Sequence, residues 1–297
     1  MWGVHVEVFA EYGAKFGCDW RCGDVSIPFP FGMNTSECYA GKWFEIECRN
    51  TNYNRIPYLK SIGLEVKSID VNEGAIIINY PIYRNNCGTK DSLPVKRSLE
   101  GSPFVYSQKY NIFVAAGCNI IALLQLNGSE GSGCVSICDE DYKVNDIGKI
   151  ELKNSDCNGK FCCENSLPLY LKEYNTEIKG LKENETGHEC SYAMVVQQNP
   201  SYATKSKYFF VDGMLKDLDV VPAVLEWEIL NNFNLKLPAD NLSECYDTNI
   251  TSSLYKSSGQ RCSCTNGSFF GNPYLEGGCS PQKGKYMMNK FDVDFIQ

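Results

Sequence analysis

The sequence predicts a disulfide-rich, mainly β protein, and three observations predict it. Sixteen cysteines are spread from Cys18 to Cys279 in a chain of 297 residues. Apolar and polar residues alternate along its longest patterned segments, which is the period of two of a half-buried strand. Sustained helical periodicity is missing: even LPLYLKEYNTEIKGL, Leu167 to Leu181, alternates more than it spirals.

Taken in chain order, each element has its own justification. The stretch CDWRCGDVSIPFPFG, Cys18 to Gly32, begins the patterned part. Pro28 and Pro30 hold φ near about −65° and bias Ile27 and Phe29 toward extended geometry. SIPFPFG therefore reads as a stiff edge segment whose Phe29 and Phe31 cap a core rather than stack on a ligand. In SIGLEVKSIDV, Ile62, Leu64 and Val66 alternate, and Ile69 and Val71 resume one step out of phase. A β-bulge at Lys67 and Ser68 would restore the register. AIIINY and the two runs IFVAA and IIALLQL, joined through Gly117, Cys118 and Asn119, read as buried strands around a turn. In VVPAVLEWEIL the residues Val221, Ala223, Leu225, Trp227 and Ile229 form an apolar side, with Glu226 and Glu228 on the polar side. Pro222 puts that strand near an edge or near its own start.

The cysteines fall into three groups. Cys18, Cys22, Cys38, Cys48, Cys87, Cys118, Cys134 and Cys138 form the first, Cys157, Cys162, Cys163 and Cys190 the second, and Cys245, Cys262, Cys264 and Cys279 the last. With a soft rule of about 150 residues per domain, this predicts two tandem small β modules, 18–150 and 151–240. A short stapled unit follows at 241–279, with tails at 1–17 and 280–297. All sixteen cysteines are expected in disulfides, because an oxidising, extracytoplasmic setting is where so many thiols persist as bridges. Their connectivity stays open, since even eight cysteines allow about 105 pairings.

Six Asn-x-Ser/Thr sequons, at Asn34, Asn127, Asn184, Asn241, Asn249 and Asn266, agree with a secreted glycoprotein surface. Residues 1–17 lack a basic start and are interrupted by His5, Glu7 and Glu11. The expectation is that a leader has been removed or that the chain is a fragment. The most apolar window, Ile112 to Leu126, contains Asn119 and Gln125 and is shorter than the roughly 18 residues a membrane span needs. Membrane attachment would require a transmembrane helix outside this chain.

Several chemistries are excluded. Zinc sites want paired Cys-x-x-Cys or histidine spacings, and the chain has neither, with His5 and His188 as its two histidines. The same scarcity of bases argues against a nucleophilic triad. Gly-Lys pairs occur at Gly41, Gly148, Gly159 and Gly284, and none continues into a phosphate loop. DEDYKVNDIG places Lys143 where a calcium loop needs a ligand. Glu226 and Glu228 lie about 6–7 Å apart along a strand, yet glycosidase carboxylates come from different elements on opposite sides of the bond. No catalytic residue, metal or cofactor is predicted.

Charge is uneven along the chain. Residues 1–120 are balanced, with twelve Lys and Arg against twelve Asp and Glu, so the net charge of −8 belongs to the remainder. Nucleic acid is not the expected partner of such a chain. A polyanion would have to meet the first module.

Several motifs carry a family resemblance. CGDVSIPFPFG, CYAGKWFEIEC and GSPFVYSQKYNIFVAAGCNIIALL resemble the galacturonan-binding module of the plant wall-associated receptor kinases. GSGCVSIC, CNGKFCCENSLP, CSYAMVV and VPAVLEWEI are similar to the rest of that extracellular region, and RCSCTNGSFFGNPYLEGGC to the truncated EGF-like unit that follows it. The resemblance runs through residues 18–279. It implies two tandem β modules and a short EGF-like stub, forming the non-catalytic ectodomain of a plant cell-surface receptor kinase in the apoplast, attached to the plasma membrane in a full-length form. The implied ligand is de-esterified pectin, through which the receptor would report wall state or pathogen attack. The alternative is a protein ligand, such as a pathogen effector or peptide. Cys279 is followed by Ser280, Pro281 and Gln282 rather than by the calcium-binding repeat common in the family. Guanidinium and ammonium groups pair with carboxylates, and aromatic faces cover sugar rings. The candidate pectin-binding residues are therefore the bases Arg49, Arg55, Lys60, Lys67, Arg84, Lys90, Lys96 and Arg97.

Overall fold

The computed structural model describes residues 13–88, 98–126, 129–138, 157–181, 190–198, 218–233, 235–238, 240–251, 256–265 and 269–281. Among these, the strands in chain order are β1 (Arg21–Cys22), β2 (Val25–Ser26), β3 (Ile46–Asn50), β4 (Arg55–Leu59), β5 (Leu64–Asp70), β6 (Ala75–Pro81) and β7 (Tyr83–Asn85). They continue with β8 (Phe104–Tyr106), β9 (Asn111–Ala116), β10 (Ile120–Leu126), β11 (Ser129–Ser136), β12 (Asn158–Lys160), β13 (Cys162–Ser166) and β14 (Asn175–Gly180). The last are β15 (Ser191–Gln197), β16 (Val220–Trp227), β17 (Ile229–Leu230), β18 (Ser243–Thr251), β19 (Lys256–Cys264), β20 (Phe269–Gly271) and β21 (Cys279–Pro281). The protein is mainly β and disulfide-rich.

The largest sheet has the order β3-β4-β5-β6-β16-β8, and the next has β12-β13-β9-β15-β7. Two three-stranded sheets, β11-β10-β14 and β17-β19-β18, and the hairpins β1-β2 and β20-β21 complete the set. β6 and β9 are continuous apolar runs because both of their faces are covered. Ile76, Ile78 and Tyr80 of β6 face the main core, while Ala75 and Ile77 pack with Val224 on the other side. Likewise Phe113 and Ala115 of β9 join the main core, and Val114 and Ala116 meet Tyr192 and Met194 behind it.

The register of β5 against β6 shifts between Val66 and Ser68, leaving Lys67 exposed. β9 and β10 do flank a turn, but they belong to different sheets. Gly117, at φ 153°, and Asn119, at φ 54°, turn the chain at a corner rather than in a hairpin. A Cβ at residue 117 would come within 2.6 Å of Ser191 Oγ, so glycine is required there. Pro222 is the third residue of β16, and β8 pairs only with Leu225 to Trp227. The missing N–H therefore falls where that side of the strand has no neighbour in the sheet. Phe29 and Phe31 are buried, and the Phe31 ring packs against Phe44, Phe104 and Trp227 at centroid distances of 5.1, 6.2 and 5.5 Å.

The sixteen cysteines form eight bridges: 18–38, 22–48, 87–190, 118–138, 134–163, 157–162, 245–262 and 264–279. Cys162 and Cys163 are adjacent in a strand, so their side chains leave on opposite faces and reach different partners. The modules drawn at 18–150, 151–240 and 241–279 are not separate units of packing. β16 completes the sheet begun by β3 to β6, β13 and β15 flank β9, and β17 pairs with β19. One buried cluster runs from Cys22 to Tyr274. Cysteine spacing misleads here because two bridges, 87–190 and 134–163, cross the line drawn at residue 150.

Candidate functional site

Strand alternation assembles a charged face on β3, β4 and β5. Ile46 and Leu59 turn inward and are buried, so Glu45, Glu47, Arg49, Ile56, Tyr58 and Lys60 turn outward by the period of two. Glu47, Tyr58 and Glu65 are opposite one another in register across the three strands. The Arg49 guanidinium lies 4.0 Å from the centroid of the Tyr58 ring and donates to Glu47 Oε2 at 2.6 Å and 2.9 Å. Lys60 Nζ meets Glu45 Oε1 at 2.6 Å, and Lys67 Nζ meets Glu65 Oε1 at 3.4 Å. The hydrogen bond from Arg49 holds the Glu47 carboxyl below its usual value, and the same bond raises the Arg49 guanidinium. Lys60 is raised by its hydrogen bond to Glu45. The face thus carries three cations, each matched by a carboxylate, around one half-buried aromatic ring.

Arg55 begins β4 at the tip beside Tyr53 and is exposed, as Tyr53 is. The structure corrects the assignment of Arg84. Its side chain is buried, with Nη2 donating to Leu218 O and lying 3.2 Å from Asp219 Oδ1. Beside it in the sheet stands Tyr192 of β15, its register partner and itself buried, so Arg84 does not belong to an exposed basic face. Lys90, Lys96 and Arg97 lie outside the described residues.

Two further cation-aromatic pairs sit in the same stretch of chain and were missed by counting bases alone. Lys42 Nζ is 5.1 Å from the Trp43 ring, and the Arg21 guanidinium is 5.8 Å from the Trp20 ring. Their signal was a base adjacent to a tryptophan in sequence.

Of the sequons, Asn34, Asn241 and Asn249 are exposed. Asn34 is left-handed, at φ 69°, and donates to Asp19 Oδ2 at 2.7 Å, while Asn249 Oδ1 accepts from Ser258 Oγ at 2.9 Å. Asn127, Asn184 and Asn266 lie outside the described residues.

Glu226 and Glu228 have separate structural tasks. Glu226 accepts from Ser107 Oγ at 2.5 Å and from the Arg261 guanidinium at 3.2 Å. Glu228 is not on an open polar side: it is buried and accepts from Thr248 Oγ1 at 2.5 Å. Ile229 and Leu230 pair with Gln260 and Gly259 of β19, and β19 passes so close that a Cβ at residue 259 would lie 3.1 Å from the Glu228 side chain. Among the described residues, no group of three or more His, Cys, Asp and Glu side chains converges as a metal site would. No helix among them is long and apolar enough to cross a membrane.

Comparison with known proteins meets this face directly. Residues 18–81 match the family described as wall-associated receptor kinase galacturonan-binding. Over 296 residues the chain is 33% identical to wall-associated receptor kinase-like 1 of Arabidopsis thaliana, covering 88% of this chain and 38% of that protein. It is 30% identical to wall-associated receptor kinase-like 3 of the same plant over 295 residues, with the same coverage. Wall-associated receptor kinase 5, also of Arabidopsis thaliana, is 28% identical over 285 residues, covering 88% of this chain and 34% of that protein. The chain therefore spans little more than a third of the length of these relatives. No solved structure matches. The family match holds β1 to β6 and the face on β3 to β5, and the similarity to the wall-associated receptor kinase-like proteins continues through most of the chain.

Proposed function

We infer that this chain is the non-catalytic, ligand-binding region of a plant cell-surface receptor kinase, working in the apoplast, and that it binds de-esterified homogalacturonan. The observation that carries the reading is a coincidence of place. The galacturonan-binding match, 18–81, contains the outward face where Arg49, Lys60 and Lys67 surround Tyr58. Cations beside an aromatic ring suit an anionic sugar, whose carboxylate takes the charge-assisted hydrogen bonds and whose ring covers the aromatic face. Arg55 extends the charge toward the tip. Lys90, Lys96 and Arg97 remain part of the proposal through their charge.

Contacts on an exposed face are screened over a Debye length of about 8–10 Å in physiological salt. Binding to polygalacturonate should weaken as salt rises, fall on methyl-esterified pectin, and fall again when Arg49, Lys60 and Lys67 are together changed to Gln. Titration of the secreted protein against these polymers checks all three. Affinity indifferent to salt, esterification and the triple change would sink the pectin reading and favour a protein ligand.

A further inference from the structure

The cations of this face are not free. Arg49 is held by Glu47, Lys60 by Glu45 and Lys67 by Glu65, all at 3.4 Å or less. Glu47 and Glu65 are the register partners of Tyr58 on either side, so an acid borders the aromatic ring on both neighbouring strands. These pairs are solvated: the side chains of Arg49 and Glu47 are 46% and 45% exposed, and those of Lys67 and Glu65 are 40% and 27% exposed.

We propose that Glu47 and Glu65 are specificity-determining residues, built-in carboxylates that a ligand's carboxylates must replace. They restrict this face to polymers carrying consecutive free uronates. The inference rests on the pectin reading above and deepens it. A charge that already has a partner gains little from a second, so each exchange returns only the difference between ligand and internal carboxylate. A lone uronate bears the whole entropic cost of binding for one such difference. A run of uronates on one backbone shares that cost across several exchanges. A neutral or esterified sugar cannot exchange at all, and leaves Arg49 and Lys67 with their own acids. The glutamates therefore suppress weak, single-charge ligands while leaving polyanions able to bind.

The test removes the internal acids. Glu47→Gln with Glu65→Gln should bind polygalacturonate more tightly, on the order of threefold to tenfold, if two solvated pairs no longer compete. It should also gain measurable affinity for galacturonate monomer and short oligomers, flattening the dependence on chain length. A control with the same change in net charge, Glu164→Gln with Glu244→Gln, removes exposed acids on β13 and β18. It should leave the chain-length dependence as it was. Thermal melts of both variants should match the native protein, because all four positions are solvated. Equal tightening in the control would reduce the effect to overall charge and overturn the proposal, as would unchanged or weaker binding by Glu47→Gln with Glu65→Gln. If the native protein binds polygalacturonate and only the exchange effect is missing, this inference fails and the pectin reading stands. Native protein with no affinity for polygalacturonate overturns both.

Discussion

Lys172 keeps an ammonium inside the protein, with 3% of its surface exposed and Nζ donating to Ser102 O at 2.5 Å. Burial pushes it down to about 8, against the pull of Glu100 and Glu228. Its unfolded value is about 10.4, so between those limits the unfolded chain holds a proton that the folded one has released. Stability contributed by this group therefore rises with pH across about 8 to 10.4, and its cost is constant below that window. Urea unfolding of native protein and Lys172→Met should show their stabilities converging or crossing in the native protein's favour, by roughly 1 kcal/mol per pH unit within the window. Parallel curves would contradict it. Neither Lys172 nor Arg84 was legible as buried, since both are long bases in polar-looking segments. What they pack against, Leu218 and Asp219 for Arg84 and the 99–102 turn for Lys172, comes from far along the chain. By contrast Arg49, Lys60 and Lys67 were legible as surface bases. Their matched acids could have been read as well, because positions 45, 47 and 49 share a strand face.

Elements were more legible than their partners. The bulge after Val66 follows from the phase change in SIGLEVKSIDV, and the Pro222 position follows from its missing N–H. The corner at 117–119 reads locally as a turn, and only the pairing of β9 with β13 and β15 shows that it moves the chain between sheets. Least legible is how the last elements are fastened. Asn272, with 1% of its surface exposed, donates from Nδ2 to Gly13 O and to Phe29 O, both at 2.6 Å. Its Oδ1 accepts from Tyr274 N at 2.9 Å. The stiff SIPFPFG segment is thus tied to the unit that closes the chain, while Tyr274 stacks against Trp227 at 5.1 Å. Asn272→Ala would strand the Phe29 carbonyl and the Tyr274 N–H where water is scarce, each worth about 1–3 kcal/mol, while Gly13 O keeps its bond from Phe29 N at 2.8 Å. Urea unfolding should lose at least about 2 kcal/mol, with polygalacturonate affinity unchanged after correction for folded fraction. A loss of a few tenths would mean that water replaces the amide.

At the scale of the whole molecule, the cysteine spacing that correctly announced a cross-linked β protein could not announce its interleaving. β9 has β13 on one side and β15 on the other, and β6 pairs with β16. The bridge from Cys87 to Cys190 closes 103 positions of chain, a loop whose closure restrains the unfolded state by about 4–5 kcal/mol in the chain-entropy account. A chain cut to residues 1–150 keeps the bridges 18–38, 22–48 and 118–138 but loses the partners of Cys87 and Cys134. It also strips both neighbours from β9 and one from β6, uncovering Phe113, Ile76 and Ile78. Denaturing alkylation without reductant should label nothing in the full chain. In the fragment it should label Cys87 and Cys134, or find them joined to each other or across two copies. The fragment should also be digested at protease concentrations that the full chain survives. A fragment that is secreted, resists protease and shows native near-ultraviolet dichroism would establish that β3 to β6 fold without β16. The proposed pectin binding could then be tested on residues 1–150 alone.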